Sequence, residues 1–401
     1  MKPIRHNTKT LHPLTLSAVT AATLVLSGCG GSSSDDNDRP SVTPDPSDNT
    51  NSFQESMLDA TSYTDYTYFN LDTGKTVDLS PEAAKSDLTW HIGFRRNEVI
   101  LNGGASGAGN VSAALVADQN DFYDSEGEAL ANVFLNATKE SELEHLLADA
   151  DTTGLQYQQD KIVAAIRGTG TMAGDLMDLG WYYYNPATHA LSANPDNWWL
   201  LRSAAGNSYA RFHCESLVFS PQEGLTASFA FDIQSADTSQ FATSGLFTAS
   251  IPAGGGSSCF DFDSGNSVDC SDATWDLKLE IEGRDWHLWI NGGNSGNGKG
   301  GAFGPFTTAE ANAYTSGNLS AEGVSIDSHY TQDTSAGLFL DAPWYGYNFQ
   351  GRHQLWPNYR VYIIDTDTTD PNANQYKLQI TNYYSDAGAS GHPNIRYIQN
   401  Q

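Results

Sequence analysis

The decapeptide Phe69-Asn-Leu-Asp-Thr-Gly-Lys-Thr-Val-Asp78 recurs later in the chain as Phe260-Asp-Phe-Asp-Ser-Gly-Asn-Ser-Val-Asp269. Further landmarks follow both copies in one order: a Thr-Trp pair (89–90 and 274–275), an Asn-Gly-Gly-x-Ser-Gly-x-Gly element (102–109 and 291–298), a Trp-Tyr element with a later histidine (180–189 and 343–353), and a closing strand pattern (209–214 and 376–380). Such ordered recurrence indicates a tandem duplication, with copies at residues 61–238 and 239–401.

Alternating apolar and polar residues predict half-buried strands at 89–94, 286–290, 359–364 and 376–384. A helix is predicted only from Thr138 to Ala150, where Thr138 can cap and Leu143, Leu146 and Leu147 share a face. Helical segments are too few for parallel βαβ units. The sequence therefore predicts a mostly β class, all-β or β-rich α+β, with two tandem antiparallel β domains and a short helix in the first.

The N-terminus is typical of a bacterial lipoprotein. Basic residues and an apolar stretch lead to Leu26-Ser27-Gly28-Cys29, which predicts a signal peptide over residues 1–28 and lipidation of Cys29. Residue 30 is glycine, which favours the outer membrane or cell surface. Residues 29–60 are rich in Gly, Ser, Asp and Pro and are predicted to form a disordered tether.

The chain is strongly acidic, with a formal net charge of -28. Loss of the signal peptide removes three positive charges and no negative ones, which leaves a still more acidic mature protein. Nucleic acid and anionic lipid headgroups are therefore poor partners, and an acidic, soluble surface needs no ligand to explain it. In a compartment that permits disulfides, Cys259 and Cys270 are spaced for a bridged hairpin, and Cys214 is predicted to be a buried thiol.

Enzymatic motifs do not stand out. The 48 acidic residues single out no carboxylate pair, and no nucleophile elbow, H-E-x-x-H, C-x-x-C or calcium-loop pattern occurs in the sequence. Histidine and methionine are of more interest, because both can ligate haem iron. His189 and His353 recur at matching positions, which fits either a ligand or a structural hydrogen bond shared by both copies.

Taken together, several motifs resemble the HmuY-like haem-binding lipoprotein family. They are Trp-x-x-x-Phe-x-Arg at 90–96, Asn-Gly-Gly-x-Ser-Gly at 102–107, Gly-Trp-Tyr-x-Tyr from 180, Arg-Val-Tyr at 360–362, Tyr-Lys-Leu-Gln-Ile at 376–380, and the run 383–391. The likeness covers nearly all of residues 61–398, one family-length domain in each copy. It implies a mostly β, non-enzymatic protein that captures haem for iron acquisition.

The resemblance also implies two axial histidines, one in the insert before the conserved Trp and one shortly after it. The second position holds Asn348-Phe349 in copy two and Asn185-Pro186 in copy one, so the pattern departs there. The candidate ligands are His329 and His353 in copy two, which would hold the metal, and Met172, Met177 or His189 in copy one. Arg352 or Lys377 would lie near the haem propionates.

We therefore expect a lipid-anchored lipoprotein that binds haem and passes it to an uptake system, with a TonB-dependent outer-membrane receptor as partner. The alternative is a surface module on the same scaffold that binds a carbohydrate or a partner protein instead, since Tyr and Trp clusters with many Asn and Asp suit such contacts. On either reading the shared landmarks are scaffold, and sites are expected in the inserts before Trp181 and Trp344.

Overall fold

The structure is a computed structural model that describes residues 52–400. In this part of the chain the strands are β1 Gln54–Met57, β2 Thr67–Asn70, β3 Lys75–Val77, β4 Ile92–Arg95, β5 Glu98–Leu101, β6 Ser112–Ala117, β7 Lys161–Val163, β8 Met172–Ala173, β9 Leu176–Asp178, β10 Tyr182–Tyr184, β11 Leu191–Ala193, β12 Trp198–Arg202, β13 Tyr209–Ser220, β14 Gly224–Gln234, β15 Thr243–Ile251, β16 Gly256–Asp261, β17 Asn266–Val268, β18 Leu277–Glu282, β19 Asp285–Ile290, β20 Gly301–Phe306, β21 Thr334–Ala336, β22 Tyr345–Tyr347, β23 Leu355–Pro357, β24 Val361–Asp365, β25 Gln375–Tyr384 and β26 Ser390–Gln399. The α-helices are α1 Pro81–Ala84, α2 Ala131–Asn136, α3 Leu143–Leu147, α4 Thr308–Ala313 and α5 Leu338–Asp341, and single 3₁₀ turns occur at Asn120–Phe122 and Asp327–His329.

The β-rich class is confirmed, and the strands named above pair antiparallel. The strands predicted around residues 92, 288, 362 and 380 are present as β4, β19, β24 and β25. The predicted helix is shorter than expected: it covers Leu143–Leu147, and its N-cap residue is Glu142 rather than Thr138. The Thr138 hydroxyl instead accepts a hydrogen bond from the Ser141 amide in the preceding turn.

The signal peptide and Cys29 lie outside the described residues. The predicted tether extends less far than residue 60, because β1 pairs with β26 from Gln54 to Met57. Leu58 and Ala60, which follow β1, are 3% and 1% exposed. Two apolar residues at the end of a polar stretch are enough to anchor it once a strand edge is available.

Four sheets build two β units of the same design. Unit A consists of the sheets β1-β26-β25-β24-β6 and β3-β2-β4-β5, and unit B consists of β15-β14-β13-β12-β20 and β17-β16-β18-β19. In each unit the side chains of both sheets share one apolar core; Phe212, Phe229 and Phe247 meet Phe260 and Leu277 in unit B. The two repeated decapeptides are equivalent hairpins, β2–β3 and β16–β17.

The two sequence copies exchange their C-terminal halves. In unit A, β1 pairs with β26 and β6 pairs with β24, whereas in unit B β14 pairs with β15 and β12 pairs with β20. The chain leaves unit A after Asp160 and returns after Asp333, and the two crossing segments pair as β7 and β21. The boundary predicted at residue 238 falls between β14 and β15, two neighbouring strands of one sheet, so it separates sequence repeats rather than packed units.

The Gly-rich elements are tight loops in both units. Gly104 and Gly293 have φ of +62° and +67°, and a Cβ on either would lie 2.0 Å from the carbonyl oxygen of Asp160 or Asp333. Only glycine fits such a close approach in a left-handed conformation. Each loop therefore holds the start of a crossing segment against its own unit.

Cysteine pairing follows the prediction. Cys259 and Cys270 form a disulfide with their Cα atoms 5.2 Å apart, and it bridges β16 to the end of the β17 hairpin. Cys214 is a free, buried thiol, and burial raises its pKa to about 12. None of the helices described between residues 52 and 400 is long and apolar enough to cross a membrane.

Candidate functional site

A cavity of about 750 Å³ opens on unit A, where the segment around α2 folds over β1, β23 and the end of β25. We call it the α2–β23 cavity. Its lining residues are Glu55, Ser56, Met57, Phe134, Ala137, Thr138, Lys139, Gln354, Leu355, Trp356, Pro357, Tyr359, Thr381, Asn382, Tyr384, Asp386, Asn394 and Ile395. Its volume falls within the range of small-molecule sites.

The apolar side of the cavity is built around Phe134. This side chain is 1% exposed and contacts Phe122 edge-on, with ring centroids 5.0 Å apart. Its other face lies against Phe349, at 4.8 Å. Trp356 and Tyr359 belong to the same cluster, so the cavity has an aromatic floor that a flat ligand can contact.

Hydrogen bonds from β25 and β26 fix the α2–α3 segment over the sheet. The Arg396 guanidinium donates to the Lys139 carbonyl and, through Nε, to Gln379 Oε1 at 2.7 Å. Gln379 Nε2 in turn donates to the carbonyls of Glu142 and Tyr359. The cavity wall is thus attached to the sheet by buried polar groups, which makes it a pre-formed feature of the fold.

The rest of the lining is largely polar, with charged, hydroxyl and amide side chains opposite the aromatic cluster. Lys139 Nζ lies 3.4 Å from Glu55 Oε1, and the Tyr384 hydroxyl accepts a hydrogen bond from the Leu355 amide at 2.9 Å. The Trp356 indole Nε1 is buried and has no hydrogen-bond partner among the described residues. Burial raises the pKa of Tyr359 to about 12, so this phenol is neutral at physiological pH. The cavity thus combines an aromatic side with a polar side, and aromatic side chains with polar groups that fix orientation are typical of a binding site.

His353 and His189 each bind a tyrosine of their own hairpin. His353 Nδ1 lies 2.5 Å from the Tyr347 hydroxyl beside β22–β23, and His189 Nδ1 lies 2.6 Å from the Tyr184 hydroxyl beside β10–β11. Both histidines have positive φ, +57° and +59°. The hydrogen bond shared by both copies, one of the two interpretations of these histidines, is therefore present. It leaves Nε2 of each ring available.

Met172 and Met177 are directly opposite one another in the β8–β9 hairpin, and Met177 is opposite Tyr184 in β10. Directly opposite residues share one face of a sheet. The two thioethers therefore approach a metal from the same side and do not form an axial pair across a porphyrin. The structure brings Met172, Met177 and His189 together on one small sheet that belongs to the B side of the crossing.

His329 and His353, predicted as one axial pair, are not brought together. His329 ends the 3₁₀ turn Asp327–His329 and stacks on Phe303 of β20, with centroids 5.0 Å apart, in unit B. His353 follows the return crossing and precedes β23, which packs on β25 of unit A. The chain changes units between the two residues, and sequence distance alone could not reveal this.

The two cations predicted near propionates are also placed apart from each other. Lys377 is 5% exposed, and its Nζ donates to the Ala148 carbonyl at 2.6 Å, so it fixes the segment after α3. Arg352 is exposed in the turn beside His353. Of these two, only Arg352 remains free to meet a ligand.

Sequence reasoning missed the main contributors to the cavity, namely Met57, Phe134 and Tyr359. Met57 falls within the segment assigned to the tether, yet its side chain is 50% exposed at the cavity wall. Phe134 lies in a helix that the sequence did not predict. The available signal was the apolar Val133-Phe134-Leu135 run inside an otherwise polar insert.

No curated protein matches the chain. Among solved structures, a Bacteroides vulgatus protein described as HmuY-like and heme-binding is 12% identical, with a TM-score of 0.31, and the alignment covers 86% of this chain and 91% of that one. The apo HmuY analog of Tannerella forsythia is 10% identical, with a TM-score of 0.28 and coverage of 86% and 94%.

A family model matches part of the chain. The model described as HmuY protein matches residues 62–231, which contribute β2 to β6 to unit A and β12 to most of β14 to unit B. These residues include the Trp90, Asn102 and Trp181 landmarks on which the resemblance was based. Residues 62–231 of this chain are therefore similar in sequence to the HmuY family.

Proposed function

We propose that this protein is a non-enzymatic, haem-binding lipoprotein of the cell surface that binds its haem in the α2–β23 cavity. The observation that carries the proposal is this aromatic-floored cavity of about 750 Å³ in a chain similar in sequence to the HmuY family over residues 62–231. Its volume and apolar floor suit a porphyrin, and the buried Trp356 N–H offers a donor to a ligand acceptor.

Three side chains in or beside the cavity are candidate iron ligands. Met57 and Tyr384 line the cavity with a thioether and a phenol, and His353 directly precedes the lining residue Gln354. Methionine, tyrosine and histidine are all used as haem ligands. The Tyr347 hydroxyl would orient the His353 ring from Nδ1, as partners of metal-binding histidines commonly do, and leave Nε2 for the iron.

The proposal extends to a second HmuY-like copy. Units A and B have the same sheet order, equivalent Gly-rich loops and equivalent Tyr–His hydrogen bonds, although the family model stops at residue 231. Lipidation at Cys29, an outer-membrane location and transfer of haem to a TonB-dependent receptor complete the proposed role. They rest on the N-terminal sequence and on the resemblance.

Titration of the full mature chain with haemin tests the site. Ala137 is half-buried at the cavity wall, so Ala137→Trp fills the cavity without removing a polar group. Ala187→Trp, on an exposed turn of the β10–β11 hairpin, adds the same ring elsewhere. We expect the natural chain and A187W to shift the Soret band, and A137W to weaken haemin binding at least about tenfold.

Substitutions of the candidate iron ligands test which side chains bind the iron. Met57→Leu, Tyr384→Phe and His353→Ala should each change the Soret position or the affinity if the side chain binds iron, whereas His329→Ala in unit B should not. An unchanged spectrum on adding haemin to the natural chain would refute the proposal. That result, together with recovery of a glycan or a protein from outer-membrane extract, would favour the alternative surface module.

A further inference from the structure

A second cavity, of about 360 Å³, lies on unit B between the end of β12, the Gly-rich loop and the 3₁₀ turn at 327–329. We call it the Arg202 cavity. It is lined by Arg202, Gly206, Tyr209, Gly298, Lys299, Asp327 and Gln332. It shares no residue with the α2–β23 cavity, and the haem proposal does not use it.

Two cationic side chains, Arg202 and Lys299, line this cavity, and neither forms an ion pair among the described residues. Among the described residues, neither Arg202 nor Lys299 has a side-chain nitrogen within 4.0 Å of an acidic oxygen. The chain has 48 acidic and only 20 basic residues. Two neighbouring cations left unpaired in so acidic a protein offer a site to an anion.

The Arg202 side chain is held in place with its outer nitrogens free. Its Nε donates to the Lys299 carbonyl at 2.9 Å, and its guanidinium lies 5.4 Å from the centroid of the buried Tyr330 ring. Nη1 and Nη2 remain for a ligand. A planar guanidinium fixed in this way is suited to bidentate recognition of a carboxylate.

Unit A provides an internal comparison. Arg202 pairs with Gly301 across β12 and β20, and the corresponding pair across β24 and β6 is Asp365 with Ser112. The residue two positions before each of these partners is Lys299 in unit B and Asn110 in unit A. Unit A therefore has an aspartate and an amide where unit B has two cations, so the fold itself does not require the positive charges.

The remaining lining groups suit hydroxyls. The Asp327 carboxylate accepts a hydrogen bond from the Tyr209 hydroxyl at 3.0 Å and retains acceptor capacity. Gln332 donates from Nε2 to the Gly300 carbonyl, which leaves its Oε1 free. With two cations against one carboxylate, the cavity carries one net positive charge, which matches a monoanion better than a phosphate dianion.

We propose that the Arg202 cavity binds the carboxylate of an acidic monosaccharide. Arg202 and Lys299 hold the carboxylate, and Asp327 and Gln332 accept hydrogen bonds from sugar hydroxyls. The site is specific to unit B. It requires no haem, so the two sites are tested separately.

The test measures binding of glucuronate and galacturonate to the haem-free full mature chain by calorimetry and saturation-transfer NMR. Glucose and glucose 6-phosphate are the neutral and dianionic comparisons. We expect at least one uronate to bind more tightly than both. The double variant Arg202→Gln/Lys299→Gln should lose at least about tenfold in uronate affinity, because charged hydrogen bonds are lost.

Matched control variants separate the loss of the site from a general effect of lost positive charge. Arg284→Gln/Lys85→Gln removes the same charge from exposed positions and should leave uronate binding unchanged. Lys299→Gln alone changes only an exposed side chain, and it replaces the double variant in this test if the double variant has a lowered melting temperature. Asp327→Asn should raise the affinity for glucose 6-phosphate relative to glucuronate.

Three results would overturn the proposal: no binding of either uronate, equal loss in the two double variants, or binding of glucose as tight as that of glucuronate. A dependence of haemin affinity alone on Arg202 and Lys299 would also overturn it, because the cations would then serve a propionate. An unchanged preference in Asp327→Asn would contradict the role given to that carboxylate.

Discussion

Ile162 lies directly opposite Ser335 in the β7–β21 ribbon, at the point where the chain passes from unit A to unit B and later returns. Asp160 precedes one crossing strand and Asp333 the other, and each carboxylate accepts a backbone amide from its own unit, Leu101 or Ile290. The Ser106 hydroxyl of unit A donates to Asp160 and also lies 2.6 Å from the Ser335 hydroxyl. The crossing is therefore fixed by hydrogen bonds on both sides.

A disulfide across this ribbon tests the exchange of halves. Directly opposite residues in antiparallel strands have Cα atoms about 4.5 to 5.5 Å apart, within the range of a disulfide. We expect Ile162→Cys/Ser335→Cys to oxidise to an intramolecular bridge in high yield, detected by peptide mapping. The control pair Ile162→Cys/Ala313→Cys, whose second cysteine lies in α4 and not in β21, should stay reduced. Equal yields for both pairs would contradict the crossing.

The local structure could be predicted from the sequence because strands and hairpins follow short patterns. The alternation in 376–384 and the Cys259–Cys270 spacing each depend on a few neighbouring residues, and both predictions are confirmed. The partner of each C-terminal half could not be predicted, since both copies carry similar strands that fit either sheet. A local sequence pattern does not determine which of two nearly equivalent sheets a strand joins.

The candidate site could not be predicted from the sequence for the same reason. The α2–β23 cavity combines β1, the α2 segment, the stretch before β24 and the β25–β26 hairpin, which come from both copies. His353 lies next to this cavity, because it precedes the lining residue Gln354, whereas the sequence paired it with His329 as an axial ligand because both belong to copy two. The α2 segment that lines the cavity beside His353 comes instead from the insert of copy one.

The buried Asn102 and Asn291 should be essential to the two Gly-rich loops. Asn102 Nδ2 donates to the Asp87 and Trp90 carbonyls, and its Oδ1 accepts from Gly109. Asn291 makes the same three bonds in unit B. Asn102→Ala leaves three backbone groups without a partner, so we expect a loss of about 3 kcal/mol in the free energy of unfolding.

Urea denaturation measures this loss, and Asn207→Ala, an exposed position, is the control with an expected change below about 0.5 kcal/mol. If Asn102→Ala and Asn207→Ala unfolded at the same urea concentration, the loops would not depend on this side chain.

The disulfide should contribute stability that unit A obtains in another way. Cys259 lies opposite Val268 in unit B, and Tyr68 lies opposite Val77 at the equivalent place in unit A, where it packs on Trp90 with centroids 4.7 Å apart. Closing a loop of this length is worth about 2 to 3 kcal/mol. Cys259→Ala/Cys270→Ala should lower the stability of the chain by about that amount.

Differential scanning calorimetry with and without reductant checks the disulfide. Cys214→Ser in the presence of the intact bridge is the control for reductant effects on the free thiol. A double variant that melts at the same temperature as the oxidised natural chain would show that the bridge adds nothing to unit B.

Three buried aspartates should make the protein less stable as the pH rises. Burial raises the pKa of Asp160 and Asp333 to about 6 and that of Asp276 to about 7, from 3.8. The unfolded chain ionises each group near pH 3.8, whereas the folded chain holds its proton longer. The stability that these groups contribute is therefore fully present below about pH 3.8 and is lost as the pH rises to between 6 and 7.

For each carboxyl group, a pKa raised from 3.8 to about 6 corresponds to a contribution of about 3 kcal/mol, as an upper limit. Asp160→Asn/Asp333→Asn removes two of the three groups, so it should flatten the dependence of the free energy of unfolding on pH between 4 and 7, measured by urea denaturation across that range. The exposed Asp121→Asn should leave the slope unchanged. A double variant with the slope of the natural chain would mean that Asp160 and Asp333 are ionised in the folded protein at pH 5, and that the crossing segments are held by two carboxylates rather than by two neutral carboxyl groups.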